Sequence, residues 1–260
     1  MSALHAKVSG RGPDLVLLHG WAANLGVWKE LTRSLSHKFR VISLDLPGHG
    51  KSDWDPRADT PAAQTWRVHE TLAPITERYS LIGWSLGGQF ALDLAAAMPG
   101  AIENLVLVNA SPRFLAAPGW PYGTAAVLLR RLEERLARDR GKTIDDFMSL
   151  QVRGMPPRTA ARVLKKLRTA LCTHGAGQYE ALVNGLERLK NGDLRAALTQ
   201  VRVPTLVIGG SHDRIIQPSA SRALAALAGG RYVEFKQAAH VPFLSHPKRF
   251  AQLVEEFLDG

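Results

Sequence analysis

The sequence predicts an α/β fold: a mostly parallel central sheet flanked by helices, with one helical insertion. Three observations carry this. Short apolar runs alternate with helix-length segments up to Ser111. From about Pro112 to Leu194 that rhythm stops, and the chain reads as helical and charged. The rhythm returns at Val203 and persists to Leu258. Strands alternating with helices imply a parallel sheet covered on both faces. The all-helical stretch then sits between two strands of that sheet. The expected organisation is a core from residues 1–111 and 195–260 and a helical lid from 112–194.

Leu15-Val16-Leu17-Leu18 is a short apolar run closed by His19-Gly20, the signature of a buried parallel strand and a turn. Val27 to Leu35 has helical spacing. Arg40 to Leu46 is the next strand, ended by Pro47-Gly48-His49-Gly50. Pro61 to Ala73 reads as a helix with Thr60 as its N-cap. Tyr79 to Gly83 is a strand, Leu86 to Met98 an alanine-rich helix, and Asn104 to Val108 a further strand. Within the insertion, breaks are expected at Pro118-Gly119, Gly141, Pro156-Pro157 and Gly175. Val203 to Ile208 and Arg231 to Phe235 are the last strands. Ala220 to Leu227 and Pro247 to Leu258 are the last helices, with Pro247 near a first helical position.

A chain of 260 residues with 45% hydrophobic content can bury a substantial core unaided. The single cysteine, Cys172, excludes an internal disulfide and is compatible with a reducing compartment. The opening MSALHAKVSG carries no signal-peptide pattern, and no window approaches the ~20 apolar residues of a membrane span. A cytoplasmic location is the expectation.

Net charge is +10. Between Arg113 and Arg168 there are thirteen Lys/Arg and five Asp/Glu, a net of +8. Such asymmetry suits an acidic partner: nucleic acid, an anionic membrane or an acidic protein. Sparse aromatics and the absence of a nucleic-acid motif argue against nucleic acid. A solvated basic face is the plain alternative.

Gly83-Trp84-Ser85-Leu86-Gly87 is a G-x-S-x-G pentapeptide lying where a strand ends and a helix begins. A serine on that strained turn presents its oxygen above the sheet, beside the free N–H groups of a helix N-terminus. A serine hydroxyl needs a positioned base. Of the nine histidines, His240 follows the strand ending near Phe235 and precedes the last helix, so it shares the carboxyl edge with Ser85. His19 and His49 read as turn residues, and His212 as a bystander. The base needs an acid to fix its tautomer. Asp213 follows the strand VPTLVIGG, and the order Ser85, Asp213, His240 suits a catalytic triad on such a sheet. The alternative position after the preceding strand reads Val108-Asn109-Ala110-Ser111 and offers no carboxylate. Asp45, the main competitor, is expected to hold the Pro47–Gly50 turn. Backbone N–H groups of Leu86 and Trp21 are the expected oxyanion donors. No Cys/His/Asp cluster has metal-ligand spacing, so neither metal nor cofactor is expected.

Taken together, HGW, DLPGHGKS, GWSLGG, HDRIIQP and AAHVPF resemble the α/β-hydrolase superfamily over nearly the whole chain. LVLLHGW, the segment Phe147–Gln151, Asn184-Gly185-Leu186-Glu187 and AHVPFLSHP are similar to the pimeloyl-acyl-carrier protein methyl ester esterases of biotin synthesis. That resemblance implies a four-helix lid and a triad at Ser85, Asp213 and His240. It also implies oxyanion donors at Trp21 and Leu86, and acyl-chain contacts at Phe147 and Gln151. The family's lid arginines, which meet an acidic acyl-carrier protein, match Arg158 and Arg162; two further positions hold Lys142 and Asp146 instead. Lys142 keeps the charge without the guanidinium fork, and Asp146 reverses the sign. The implied partner is the carrier protein, with no membrane and no nucleic acid. A general short-acyl carboxylesterase, a C–C bond hydrolase on the same triad and a non-catalytic binding protein of this fold remain open alternatives. A dehalogenase would need aspartate at position 85.

Overall fold

A computed structural model describes residues 3–260; Met1 and Ser2, part of the expected core and of the opening segment, lie outside the described residues. The strands are β1 (Ala6–Ser9), β2 (Asp14–Leu18), β3 (Arg40–Leu44), β4 (Tyr79–Trp84), β5 (Ile102–Val108), β6 (Thr205–Gly210) and β7 (Arg231–Phe235). They form one sheet in the order β1-β3-β2-β4-β5-β6-β7. Only β1 runs antiparallel to its neighbour. Every residue of β4 and β6 is buried, which is why these strands read as continuous apolar runs rather than alternating ones.

The helices are α1 (Lys29–Leu35), α2 (Pro61–Leu72), α3 (Leu86–Ala97), α4 (Ala126–Arg138), α5 (Arg140–Leu150), α6 (Pro157–His174), α7 (Tyr179–Asn191), α8 (Pro218–Leu227), α9 (Pro242–Ser245) and α10 (Pro247–Asp259). A 3-10 turn at Leu25–Trp28 leads into α1. Helix α3 packs on β4 and β5, and α8 on β6 and β7. Helices α4–α7 fill the interval between β5 and β6, where the sequence predicts an all-helical insertion.

Three local expectations need correction. Gly141 is not a break: it lies inside α5. The chain turns instead at Asp139, whose extended backbone separates α4 from α5 and whose carboxylate caps the Lys142 N–H at 2.9 Å. The strand expected to run to Leu46 ends at Leu44, because the next two N–H groups leave the sheet. Asp45 donates to the His5 carbonyl, and Leu46 to His19 Nε2 at 3.0 Å. The strand expected from Val203 starts at Thr205, past Pro204, which has no N–H for the ladder.

Strand β2 is the point from which the order diverges, to β3 on one side and β4 on the other. Ligand crevices in open parallel sheets form outside the carboxyl ends of strands at such a switch point. The carboxyl ends of β2 and β4 lead into Trp21 and Ser85 respectively.

Candidate active site

Ser85 links β4 to α3 with φ 54° and ψ −116°, a conformation that L-residues avoid. Its backbone is held from both sides: its N–H donates to the Val108 carbonyl at 3.0 Å, and its carbonyl accepts from Gly88 N–H at 2.9 Å. The first turn of α3 lies directly against the end of β2. A Cβ added at Gly87 would stand 2.4 Å from the Leu18 carbonyl oxygen, so only glycine fits there. Ser85 itself is partly exposed, while its neighbours Trp84 and Leu86 are buried. The side chain therefore projects from the sheet edge.

His240 lies in the loop between β7 and α9 and is 1% exposed. Its backbone is pinned twice: its N–H donates to the Gln151 carbonyl at 3.1 Å, and its carbonyl accepts from Trp84 Nε1 at 2.9 Å. Trp84 immediately precedes Ser85, so one indole ties the serine turn to the histidine loop. His240 Nδ1 meets Asp213 Oδ2 at 2.7 Å. The other carboxylate oxygen of Asp213 accepts from the backbone N–H groups of Ile215 at 2.8 Å and Ile216 at 3.1 Å. With the carboxylate aimed this way, the Nδ1 proton stays on the Asp213 side and Nε2 is left as the free basic atom. His240 Nε2 is buried and has no hydrogen-bond partner among the described residues. No Ser85–His240 hydrogen bond is made among the described residues.

The Leu86 N–H is the first of α3 and has no intrahelical acceptor. Trp21 follows the β2 turn, next to Ala22 at φ 55°. Its indole donates to the Leu182 carbonyl of α7 at 2.8 Å, and its ring meets Phe147 of α5 edge-on at 4.9 Å. Gln151 is fully buried; its Nε2 lies 3.4 Å from Met148 Sδ, and its Oε1 is unpartnered among the described residues. Trp21, Phe147 and Gln151 therefore all border the His240 edge, through the sheet turn and helix α5. Beside them Trp120, Ile215, Ile216 and Ala220 form a separate apolar cluster, with Phe147 and Leu150 packed on it.

The competing groups have other duties. Asp45 accepts from Leu25 N–H at 2.7 Å and Lys51 N–H at 3.0 Å, which holds the Pro47–Gly50 turn and the approach to α1. His19 donates from Nδ1 to the Gly20 carbonyl and accepts at Nε2 from Leu46 N–H, a pairing that requires the neutral ring. Burial lowers its pKa to about 4, so its 3.9 Å approach to Asp45 is no ion pair at neutral pH. Burial, with His19 nearby, lowers His49 to about 3. His212 is exposed.

One site residue is not evident from the sequence. Asn109 ends β5 at φ 42°, fully buried. Its Oδ1 accepts from Gly210 N–H at 2.8 Å, and its Nδ2 donates to the Ala239 carbonyl at 3.0 Å. It thereby ties the end of β6, which leads to Asp213, to the residue before His240. The available signal was a polar side chain directly after an apolar strand, at a position weighed only for a carboxylate.

The chain belongs to the alpha/beta hydrolase family, whose model matches residues 15–253. Within that family it is 41% identical to a pimeloyl-acyl-carrier protein methyl ester esterase of Nitrosomonas europaea, over 96% of this chain and 97% of the relative. It is 39% identical to a protein of the same name from Stenotrophomonas maltophilia, over 99% and 97%. Among solved structures it is similar to a hydrolase from Pseudomonas aeruginosa PA01. The TM-score is 0.82 at 30% identity, covering 98% of this chain and 94% of the other.

Proposed function

We propose that this protein is a serine carboxylesterase that hydrolyses the methyl ester of pimeloyl-acyl-carrier protein, giving pimeloyl-acyl-carrier protein and methanol for biotin synthesis. The observation that carries the chemistry is the Asp213–His240 pair on the same edge as a serine held at positive φ. The substrate comes from the names of relatives that align over nearly the whole chain.

Ser85 Oγ attacks the ester carbonyl carbon while His240 Nε2 takes its proton. Asp213 stabilises the resulting imidazolium. The tetrahedral oxyanion is received by the N–H groups of Trp21 and Leu86. Collapse breaks the bond to the methoxy oxygen, and His240 returns the proton to it, so methanol leaves and an acyl-serine remains. Water then attacks that ester while His240 takes its proton; the acyl–Oγ bond breaks, His240 returns the proton to Ser85 Oγ, and the acid leaves, ionising to its carboxylate in solvent. Each step uses only this chain's own groups and water.

Residues 112–194 serve as the lid over this edge, and Phe147 and Gln151 line the acyl path beside Trp21. Arg158 and Arg162 meet the acidic carrier protein; Lys142, the third position that the resemblance implies, stands 3.4 Å from Asp146 and is already compensated. Among the described residues no helix is long and apolar enough to cross a membrane. A carrier-bound substrate and a lone cysteine suit the cytoplasm.

The test combines labelling with kinetics. A fluorophosphonate probe should label wild-type protein at Ser85 and leave Ser85→Ala unlabelled. The methyl ester of pimeloyl-carrier protein should have a higher kcat/KM than short p-nitrophenyl esters. Labelling elsewhere would remove the nucleophile assignment. A preference for short esters would replace the substrate with a general short-acyl ester.

A further inference from the structure

A cavity of about 710 Å³ opens between α6 and the segment that runs from the Leu25–Trp28 turn into α1. Ser85 does not line it. Arg162, Lys165 and Lys166 enter it from α6, Lys29 and Arg33 from α1, and Lys7 from β1. Glu30 is the only carboxylate in this lining, and Lys166 already holds it at 2.7 Å. The other five cations have no carboxylate at ion-pair distance among the described residues.

Helical spacing makes this a continuous stripe. Arg158, Arg162, Lys165 or Lys166, and Thr169 recur three or four residues apart, so they share one face of α6. The neighbouring α5 is different. Lys142 stands 3.4 Å from Asp146, Arg135 also pairs with Asp146, and Arg168 holds Asp145 at 2.7 Å. Lys142 of α5 and its neighbours Arg135 and Arg168 thus each have a carboxylate, while five cations of the α6–α1 cleft have none.

The cleft also abuts the catalytic edge. Leu244 of α9 forms part of its wall, and Arg162 Nη2 donates to the Ser245 carbonyl at 3.2 Å. Helix α9 begins two residues after His240.

We propose that this cleft is the docking surface for the acidic face of the carrier protein. The carrier then bridges lid and core, touching Lys29 and Arg33 as well as α6, and makes little use of Lys142. This rests on the esterase reading above. Charge complementarity selects the occupant. The unpaired cations lie on three separate elements instead of converging on one point, which fits a row of carboxylates on a protein surface better than a single small anion. Bringing such a row to five uncompensated cations raises the encounter rate and fixes orientation, with strong dependence on salt.

The experiment separates docking from catalysis. Carrier protein without its prosthetic arm is titrated calorimetrically into Ser85→Ala protein at two salt concentrations. Parallel kinetics use the carrier-linked ester and a short p-nitrophenyl ester. K29E/R33E should weaken carrier binding and lower carrier-linked kcat/KM by about tenfold or more. K142E should change both by less than about twofold, within the range of an exposed pair. Both variants should retain wild-type rates on the short ester, which certifies folding. Unchanged carrier binding in K29E/R33E, or an equal loss in K142E, overturns the cleft. So does wild-type binding that is absent or indifferent to salt. If wild type binds the carrier through the cleft but does not cleave its ester, the docking inference stands and the substrate assignment falls.

Discussion

Ser85 occupies backbone that costs roughly 1–3 kcal/mol for a residue with a Cβ. Its turn is fixed by hydrogen bonds to Val108 and Gly88, so the strain cannot relax locally. Glycine has no Cβ to clash there. Ser85→Gly is therefore expected to raise the unfolding midpoint while abolishing ester hydrolysis, a result read by paired thermal melts and kinetics. A lower midpoint would mean that the turn is unstrained. Asp213 and Asp45 give a second contrast. In Asp213→Asn, the amide oxygen can keep the Ile215 and Ile216 N–H bonds, which turns the NH₂ group toward His240 Nδ1. That favours the tautomer with Nε2 protonated, a change worth about 10⁴ in rate in a well-studied triad. Asp45→Asn instead places a donor against Leu25 or Lys51 N–H, at a cost of about 1–3 kcal/mol in stability with little direct effect on chemistry. Full activity in the Asp213 variant would exchange these roles. Ser85, Asp213 and His240 could be proposed from the sequence because each follows a strand within a recognisable local pattern, and the fold places all three at the carboxyl edge of the sheet. Asn109 was not, because its two partners, Gly210 and Ala239, come from loops far along the chain.

Helix α7 shows how an element of the insertion is fastened to the core. Arg188 is buried, with its guanidinium 3.9 Å above the Phe90 ring. It donates to the Pro61 carbonyl at 3.0 Å and to Thr65 Oγ1 at 3.2 Å, and it pairs with Asp93 of α3. Burial lowers the Arg188 pKa to about 10, with Asp93 opposing, and raises that of Asp93, with Arg188 opposing. In both groups the desolvation outweighs the attraction, so the pair is costly to break and adds little net stability. Arg188→Ala should lose about 1–3 kcal/mol in a denaturant titration, because the half-buried Asp93 loses its cation and keeps only the Thr65 hydroxyl, 3.4 Å away. The deficit should narrow at acid pH, where Asp93 is protonated and needs no cation. A loss under about 1 kcal/mol would mean that water reaches Asp93 and replaces the arginine. The insertion's place was legible because the β rhythm stops at Pro112 and returns at Val203. The break near Gly141 was misplaced, because Asp139 caps the new helix and glycine is tolerated in its first turn. Strand β1 was missed for another reason: Lys7 and Val8 face solvent on an antiparallel edge, so no apolar run marks it.

The whole molecule keeps the imidazoles of His19 and His49 buried and neutral, and this shapes its response to acid. His19 and His49 lie with ring centroids 5.4 Å apart beneath the turns that follow β2 and β3. Burial holds them at about 4 and about 3, well below the ordinary imidazole value of 6.5. His19 Nε2 already accepts from Leu46 N–H, and His49 Nε2 is buried without a partner among the described residues, so neither ring has room for a second proton. Between pH 6.5 and 4 the unfolded chain therefore binds protons that the folded chain refuses. Stability rises with pH wherever the unfolded state binds more protons, so it must fall as pH drops through this window. Each fully excluded proton contributes about 1.4 kcal/mol per pH unit. The carboxylates held low by arginine partners, Asp14 and Asp193 among them, lose their contribution only at lower pH, near and below the carboxylate range. From 6.5 to about 4.5 the histidines dominate: His174 and His246, also lowered by burial, add to the slope, and Asp93, raised by burial, opposes it. Stability measured by denaturant titration should be flat from pH 8 to 7 and then decline. His49→Leu is the informative variant, because His49 makes one ring hydrogen bond, to the Pro47 carbonyl, whereas His19 bridges two backbone groups. Removing His49 should take about one proton's worth of slope from the acid limb and leave the plateau near neutrality in place. An unchanged slope would mean that His49 protonates in the folded state, which would require the turn around Pro47 to open.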